Sequence, residues 1–235
     1  MDGTGKLFAP LLATLGAEVT SIVVQYPDWP LDYAGHVDVA LRALPKDRPY
    51  ILLGESFSGP IAISIAARSP VGLRGYILCS SFLTCPQAAG RLMRPWVALL
   101  SPQSAPEMVA RYFPKGRFVT PELQRLHAEA LNVVSPETLV ARMKAIANVD
   151  ARDDLMRVSV PGLFLRATDD RLVPSSAARA FAELAPNANV AEIEGPHLLL
   201  QSNPAAAIRV IRKFMCETAG TGDAIPQTSQ QAPSL

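Results

Sequence analysis

Apolar and polar positions along the chain switch between a helical and an extended rhythm. In "KLFAPLLATLG", Leu7, Phe8, Leu11, Leu12 and Leu15 share one helical face, with Pro10 early and Gly16 at the stop. "VTSIVVQYP" then predicts a buried strand over Val19–Tyr26, rich in β-branched residues. "DYAGHVDVALRALP" predicts a second amphipathic helix, with Tyr33, Val37, Leu41 and Leu44 inward and Pro45 ending it. "YILLGES", "SGPIAISIAARSP" and "LRGYILCSSF" continue as strand, helix and strand.

From Thr84 to Arg152 the strand signals stop and proline-punctuated helices follow one another. Thr120-Pro121-Glu122 and Ser135-Pro136-Glu137 each offer a capping hydroxyl, a proline at the first helical position and an early acid. The alternation then resumes through "VPGLFLRATDD", "SSAARAFAELAP" and "ANVAEIEG", closing with the helix "NPAAAIRVIRKFM" capped by Asn203. Residues 219–235 carry no apolar period and are expected to be disordered. Strands alternating with helices imply an α/β fold, a mostly parallel sheet covered on both faces. Residues 1–83 and 153–218 form the expected core, and residues 84–152 a helical cap inserted over one sheet edge.

A composition of 49% hydrophobic and 18% charged residues fits a globule with a sizeable core. The net charge of +1 gives no reason to expect a nucleic-acid or polybasic membrane partner. No apolar run approaches the roughly 20 residues that span a bilayer. A reducing compartment suits three cysteines with no pairing pattern, and a cytoplasmic location is expected. Cys79, Cys85 and Cys216 lack metal-ligand spacing and read as inert thiols; no metal or cofactor is expected.

The chemistry concentrates in Gly54-Glu55-Ser56-Phe57-Ser58-Gly59, between a strand and a helix. This is close to G-x-S-x-G, in which a serine tops a strained turn and its near neighbours must be tiny. Ser56 would project from the carboxyl end of the sheet, with the N–H of Phe57 aimed at the same spot. A serine hydroxyl needs a base, and three histidines are available. His36 reads as a surface or boundary residue, and His127 as part of a polar-rich cap helix. His197, in "IEGPHLLLQ" just past the last strand, lies where loops at the carboxyl ends of strands gather. Asp169 and Asp170 follow another strand, and either could orient that histidine.

The order serine, aspartate, histidine is that of the α/β-hydrolases. The chain resembles that superfamily, specifically its small capped esterase/thioesterase-like members, from Met1 to about Thr218. "GESFSG" resembles their elbow, and "GPHLLLQ" the segment carrying their catalytic histidine. "ATDDRLVP" resembles their G-x-x-D-x-x-V-P, with Ala167 in place of the glycine, which puts the acid on Asp170. The resemblance implies an acyl-enzyme on Ser56, with an oxyanion hole from the N–H groups of Phe57 and the residue before "DGTG", here Met1. It also implies a family strand between Val19–Tyr26 and Tyr50–Gly54 that would lie upstream of Met1, so an N-terminally truncated fold is expected.

Cap residues Met93, Trp96, Met108, Tyr112 and Phe113 offer apolar bulk for an acyl or alkyl pocket, or simply a packed cap. The expected substrate is a small-molecule carboxylic ester or thioester. An acyltransferase would use the same triad, and a non-catalytic binding module on this scaffold is the reading from another class.

Overall fold

The computed structural model describes residues 2–86, 118 and 120–220. Its sheet holds four parallel strands in sequence order: β1 (Tyr50–Glu55), β2 (Leu73–Cys79), β3 (Gly162–Ala167) and β4 (Ala188–Ile193). Around them stand α1 (Ala9–Leu15), α2 (Tyr33–Ala43), α3 (Ser58–Ala66), α4 (Pro121–Leu131) and α5 (Pro136–Asn148). The short α6 (Arg152–Met156) follows, then α7 (Ser175–Leu184), α8 (Leu199–Ser202) and α9 (Pro204–Gly220).

The central strands β2 and β3 are largely apolar on both sides because both sheet faces are covered there. On β2 and β3, Ile77, Cys79, Leu163 and Leu165 point to a layer formed with α1 and α9. Leu78 and Phe164, on the other face, pack with Ile63 of α3 and Phe181 of α7. The sequence period of two thus becomes two cores, one per face.

Several starts and stops follow the predicted chemistry. Pro10 lies in the first turn of α1, and Gly16 closes it at a positive φ of 77°. The Thr120 hydroxyl accepts from Leu123 N at 3.1 Å and that of Ser135 from Thr138 N at 3.3 Å, capping α4 and α5. Asn203 acts differently: its side-chain amide donates to Glu194 O at 2.9 Å and ties down the loop after β4. The last helix runs through Gly220, so residues 219 and 220, expected in the tail, are helical.

One expected strand is absent. Val19–Tyr26 runs without ladder pairing, because a cavity lined by residues 19–24 on one side and 50–53 on the other separates it from β1. Ladder partners must approach to about 4.8 Å. β1 therefore has one neighbour, β2, and its outer side borders the cavity.

The two connections to residues 84–152 lie side by side. Thr84 and Asp150 form an antiparallel bridge, and Ala151 N donates to Leu83 O at 2.8 Å.

Candidate active site

β1 delivers the chain to Gly54, where space disappears. A Cβ there would stand 2.5 Å from Ser58 O, so only glycine fits under the turn. Ser56 follows at φ 51°, a conformation most side chains avoid. The turn is held from behind: Ser56 N donates to Cys79 O at 2.8 Å, and Ser56 O accepts from Ser81 Oγ at 2.8 Å and Gly59 N at 3.0 Å. Gly59 is needed for that support, since a Cβ there would lie 1.7 Å from Ser81 Oγ. Phe57 then heads α3, whose first-turn N–H groups have no intrahelical acceptors.

His197 lies in the loop after β4 with its Nε2 2.8 Å from Ser56 Oγ. Its Nδ1 stands 2.8 Å from Asp170 Oδ2. The other oxygen of Asp170 accepts from the backbone N–H groups of Leu172 and Val173, at 2.8 and 2.9 Å. With Nδ1–H donating to the carboxylate, Nε2 presents its lone pair to the serine hydroxyl. The two partners are almost enclosed, with side-chain exposures of 10% for His197 and 3% for Asp170. Asp169 stands apart from this chain of bonds and uses its backbone N–H to hold Gly195 O at 2.9 Å.

Comparison with known proteins shows the family. A family model described as serine aminopeptidase, S33, matches residues 20–198, a span that includes Ser56, Asp170 and His197. The chain belongs to that family of α/β-hydrolases. It is 24% identical over 239 residues to "Putative carbamate hydrolase RutD" of Serratia proteamaculans, covering 93% of this chain and 89% of that protein. It is 28% identical over 163 residues to a mouse monoglyceride lipase, covering 65% of this chain and 51% of the lipase. Its fold is similar to a thermophilic esterase from Thermogutta terrifontis, at a TM-score of 0.77 and 20% identity over 92% of this chain and 86% of the other. The chain is an enzyme, a hydrolase.

The hydrolase carries a cavity of about 1030 Å³ that reaches Ser56 and His197. Leu11, Ile51, Leu53 and Ile211 give it apolar walls, while Tyr26, Ser58 and His127 line it with polar groups. His127, on α4, is half-buried, and burial holds its imidazole down to about 4. His36 is a correction: it is 1% exposed, not a surface or boundary residue. Its Nδ1 donates to Asp32 O at 2.6 Å, and its ring meets Tyr26 and Phe57 edge-on. The helix turns this position inward because Tyr26 and Phe57 form an aromatic pocket that adjacent-residue periodicity does not reveal.

Met1, Met93, Trp96, Met108, Tyr112 and Phe113 lie outside the described residues. The reading from sequence missed three contributors near the elbow: Ser81, Gln201 and Glu55. "CSSF", a pair of small hydroxyl residues just past a strand, was the signal for Ser81. For Gln201 the local pattern offered none.

Among the described residues no helix is long and apolar enough to cross a membrane.

Proposed function

We propose that this hydrolase cleaves small-molecule carboxylic esters or thioesters through an acyl-enzyme on Ser56. What carries the reading is the unbroken series of hydrogen bonds from Ser56 Oγ through His197 to Asp170. As Oγ attacks the substrate carbonyl carbon, its proton passes to His197 Nε2, and the carbonyl π pair moves onto oxygen. The N–H of Phe57, at the head of α3, is the donor for that oxyanion. Collapse expels the alcohol or thiol, which takes the proton from His197. Water then repeats the sequence, with His197 again as base, and releases the carboxylic acid. Asp170 remains a carboxylate and fixes the ring that does this work.

The apolar residues among the cavity's lining support an acyl or alkyl chain as part of the group bound. Residues 84–152 act as a cap, a division supported by the Thr84–Asp150 bridge where the segment leaves and rejoins the core.

The test is intact-mass labelling with a fluorophosphonate. One adduct on the native chain, absent in Ser56→Ala, is expected, together with loss of p-nitrophenyl ester turnover in that variant. Equal turnover by a folded Ser56→Ala chain would overturn the mechanism.

A further inference from the structure

The end of β2 grips the backbone of Ser56 at two points. Cys79 O accepts from Ser56 N at 2.8 Å, and a little further along Ser81 Oγ donates to Ser56 O, also at 2.8 Å. These atoms belong to the peptide groups on either side of the Ser56 Cα, so the two bonds together fix both of its backbone torsions. The conformation they hold is the uncommon one at φ 51°. Between the two contacts the chain bends back through Ser80 at φ 45°, whose N–H donates to Leu165 O of β3 at 3.0 Å. Ser81 itself is 0% exposed.

The second grip has a chemical consequence. A trans peptide group is a rigid plane whose C=O and N–H point in opposite directions. Ser56 O and Phe57 N–H lie in one such plane. Ser81 Oγ on that oxygen, with Gly59 N beside it at 3.0 Å, therefore sets the direction of the Phe57 N–H. Flipping the plane would break both bonds and put a carbonyl oxygen where the N–H had pointed. Donation to the oxygen also polarises the plane, which strengthens its N–H as a donor.

We infer that Ser81 is a positioning residue for the oxyanion: acting through the Ser56–Phe57 peptide, its hydroxyl aims the Phe57 N–H at the carbonyl oxygen under attack. The inference rests on the acyl-enzyme reading given above, in which that N–H is the donor. Gly59 packs so closely here that a Cβ on it would lie 1.7 Å from Ser81 Oγ. Ser81→Ala deletes the bond and leaves a small void. Ser81→Cys refills the void with a group that donates only weakly.

The experiment measures p-nitrophenyl ester turnover by the native chain and both variants, with active sites counted by fluorophosphonate labelling. Losing a whole oxyanion donor costs about 10²–10³ in kcat, but Gly59 N still holds the plane in Ser81→Ala, so a loss of about tenfold is expected. Acylation and deacylation both pass through an oxyanion, so KM is expected to stay unchanged. An alkyl boronic acid reads the same contact without turnover. Ser56 Oγ bonds to boron, the serine proton passes to His197, and the negative charge stays on a tetrahedral boronate with one oxygen in the oxyanion's place. Its affinity is expected to fall by the same factor as kcat. Ser81→Cys is expected to match Ser81→Ala in both readings.

Native kcat per labelled site in Ser81→Ala would overturn the inference. Recovery of native kcat by Ser81→Cys would do so as well, because packing would then be the cause. A loss carried by KM alone, or a fall in kcat with boronic acid affinity unchanged, would also sink it. A native chain that neither takes the phosphonate label nor binds the boronic acid would instead defeat the Ser56 reading itself. Should Ser81→Ala not fold, Ser81→Cys decides by the same kcat and boronic acid readings.

Discussion

His197 Nε2 stands 2.8 Å from Ser56 Oγ, although 141 residues of chain separate them. The contact exists because β1 and β4, at opposite ends of the sheet order, both release their chains at the same carboxyl edge. In a parallel sheet that edge gathers every loop that follows a strand. α3 begins two residues after Ser56, and the short α8 two residues after His197.

The Asp170 link should matter through orientation. Asp170→Asn keeps the size of the side chain but offers His197 Nδ1 an amide that can flip the ring tautomer. Ester turnover is expected to fall by about 10⁴-fold, with the melting temperature nearly unchanged. A loss below tenfold, measured as kcat/KM at neutral pH, would remove Asp170 from the proposed series. Asp169→Asn is the matched control and is expected to retain activity, since Asp169 engages Gly195 through its backbone.

The elbow glycine can be tested by stability. The Cβ of Gly54→Ala would come within 2.5 Å of Ser58 O, a backbone atom at the start of α3. Backbone cannot swing aside as a side-chain tip can, so strand and helix must separate. A cost of about 3 kcal/mol in urea denaturation is expected. Because Ser56 lies between the two elements, turnover should fall about 100-fold even in the folded fraction. Wild-type stability in Gly54→Ala would contradict this packing.

Much of the fold was legible because the local signals were local in cause. The Thr120 and Ser135 caps, the early Pro10 and the apolar runs of β1 to β4 each depend on residues a few positions apart. Ser56 and His197 were legible for the same reason, since each sits at the end of its own strand. Asp170 could be separated from Asp169 only through resemblance, because either side chain can leave such a turn. What stayed hidden depended on distant contacts. His36 reads as a boundary position on its own helix, yet Tyr26 and Phe57 close over it. Val19–Tyr26 has a strand's composition, yet no neighbour at ladder distance. Gln201 gains its meaning from Glu55, 146 residues away.

Acid should loosen the region around His127. Burial holds this imidazole down to about 4, against an ordinary value of 6.5. Below 6.5 the unfolded chain therefore binds a proton that the folded chain refuses until about 4. Stability is full above that window, falls as the pH drops through it, and loses nothing further from this group below it. His36, also held low chiefly by burial, adds to the trend in the same direction. Thermal melts of His127→Gln are expected to decline less steeply between pH 6.5 and 4 than those of the native chain. Parallel declines would show that His127 does not resist protonation in the folded state.

The last prediction concerns how α5 is fastened to the core. Arg142 is 1% exposed, and its guanidinium donates to Asp2 O at 2.9 Å and to Pro27 O at 3.2 Å. It presses so closely on Gly3 that a Cβ there would meet Nη2 at 2.7 Å. One planar fork thus ties two separate loops to one helix, which a lysine ammonium cannot reproduce. Nearby, Asp28 adds a second tie by accepting from Ser135 N at 2.8 Å and Ser135 Oγ at 3.0 Å. Arg142→Met keeps most of the apolar stem and leaves two carbonyl groups without their donor. A cost of about 1–3 kcal/mol is expected in denaturant melts. Arg142→Lys should recover only part of it, because one nitrogen must serve two acceptors set apart by the fork. Limited proteolysis separates a local from a global effect: cleavage near residues 2–5 and 27–30 should rise in Arg142→Met before cleavage within β2 or β3 does. Full stability in Arg142→Met, with unchanged cleavage, would show that the loops hold their places without the guanidinium.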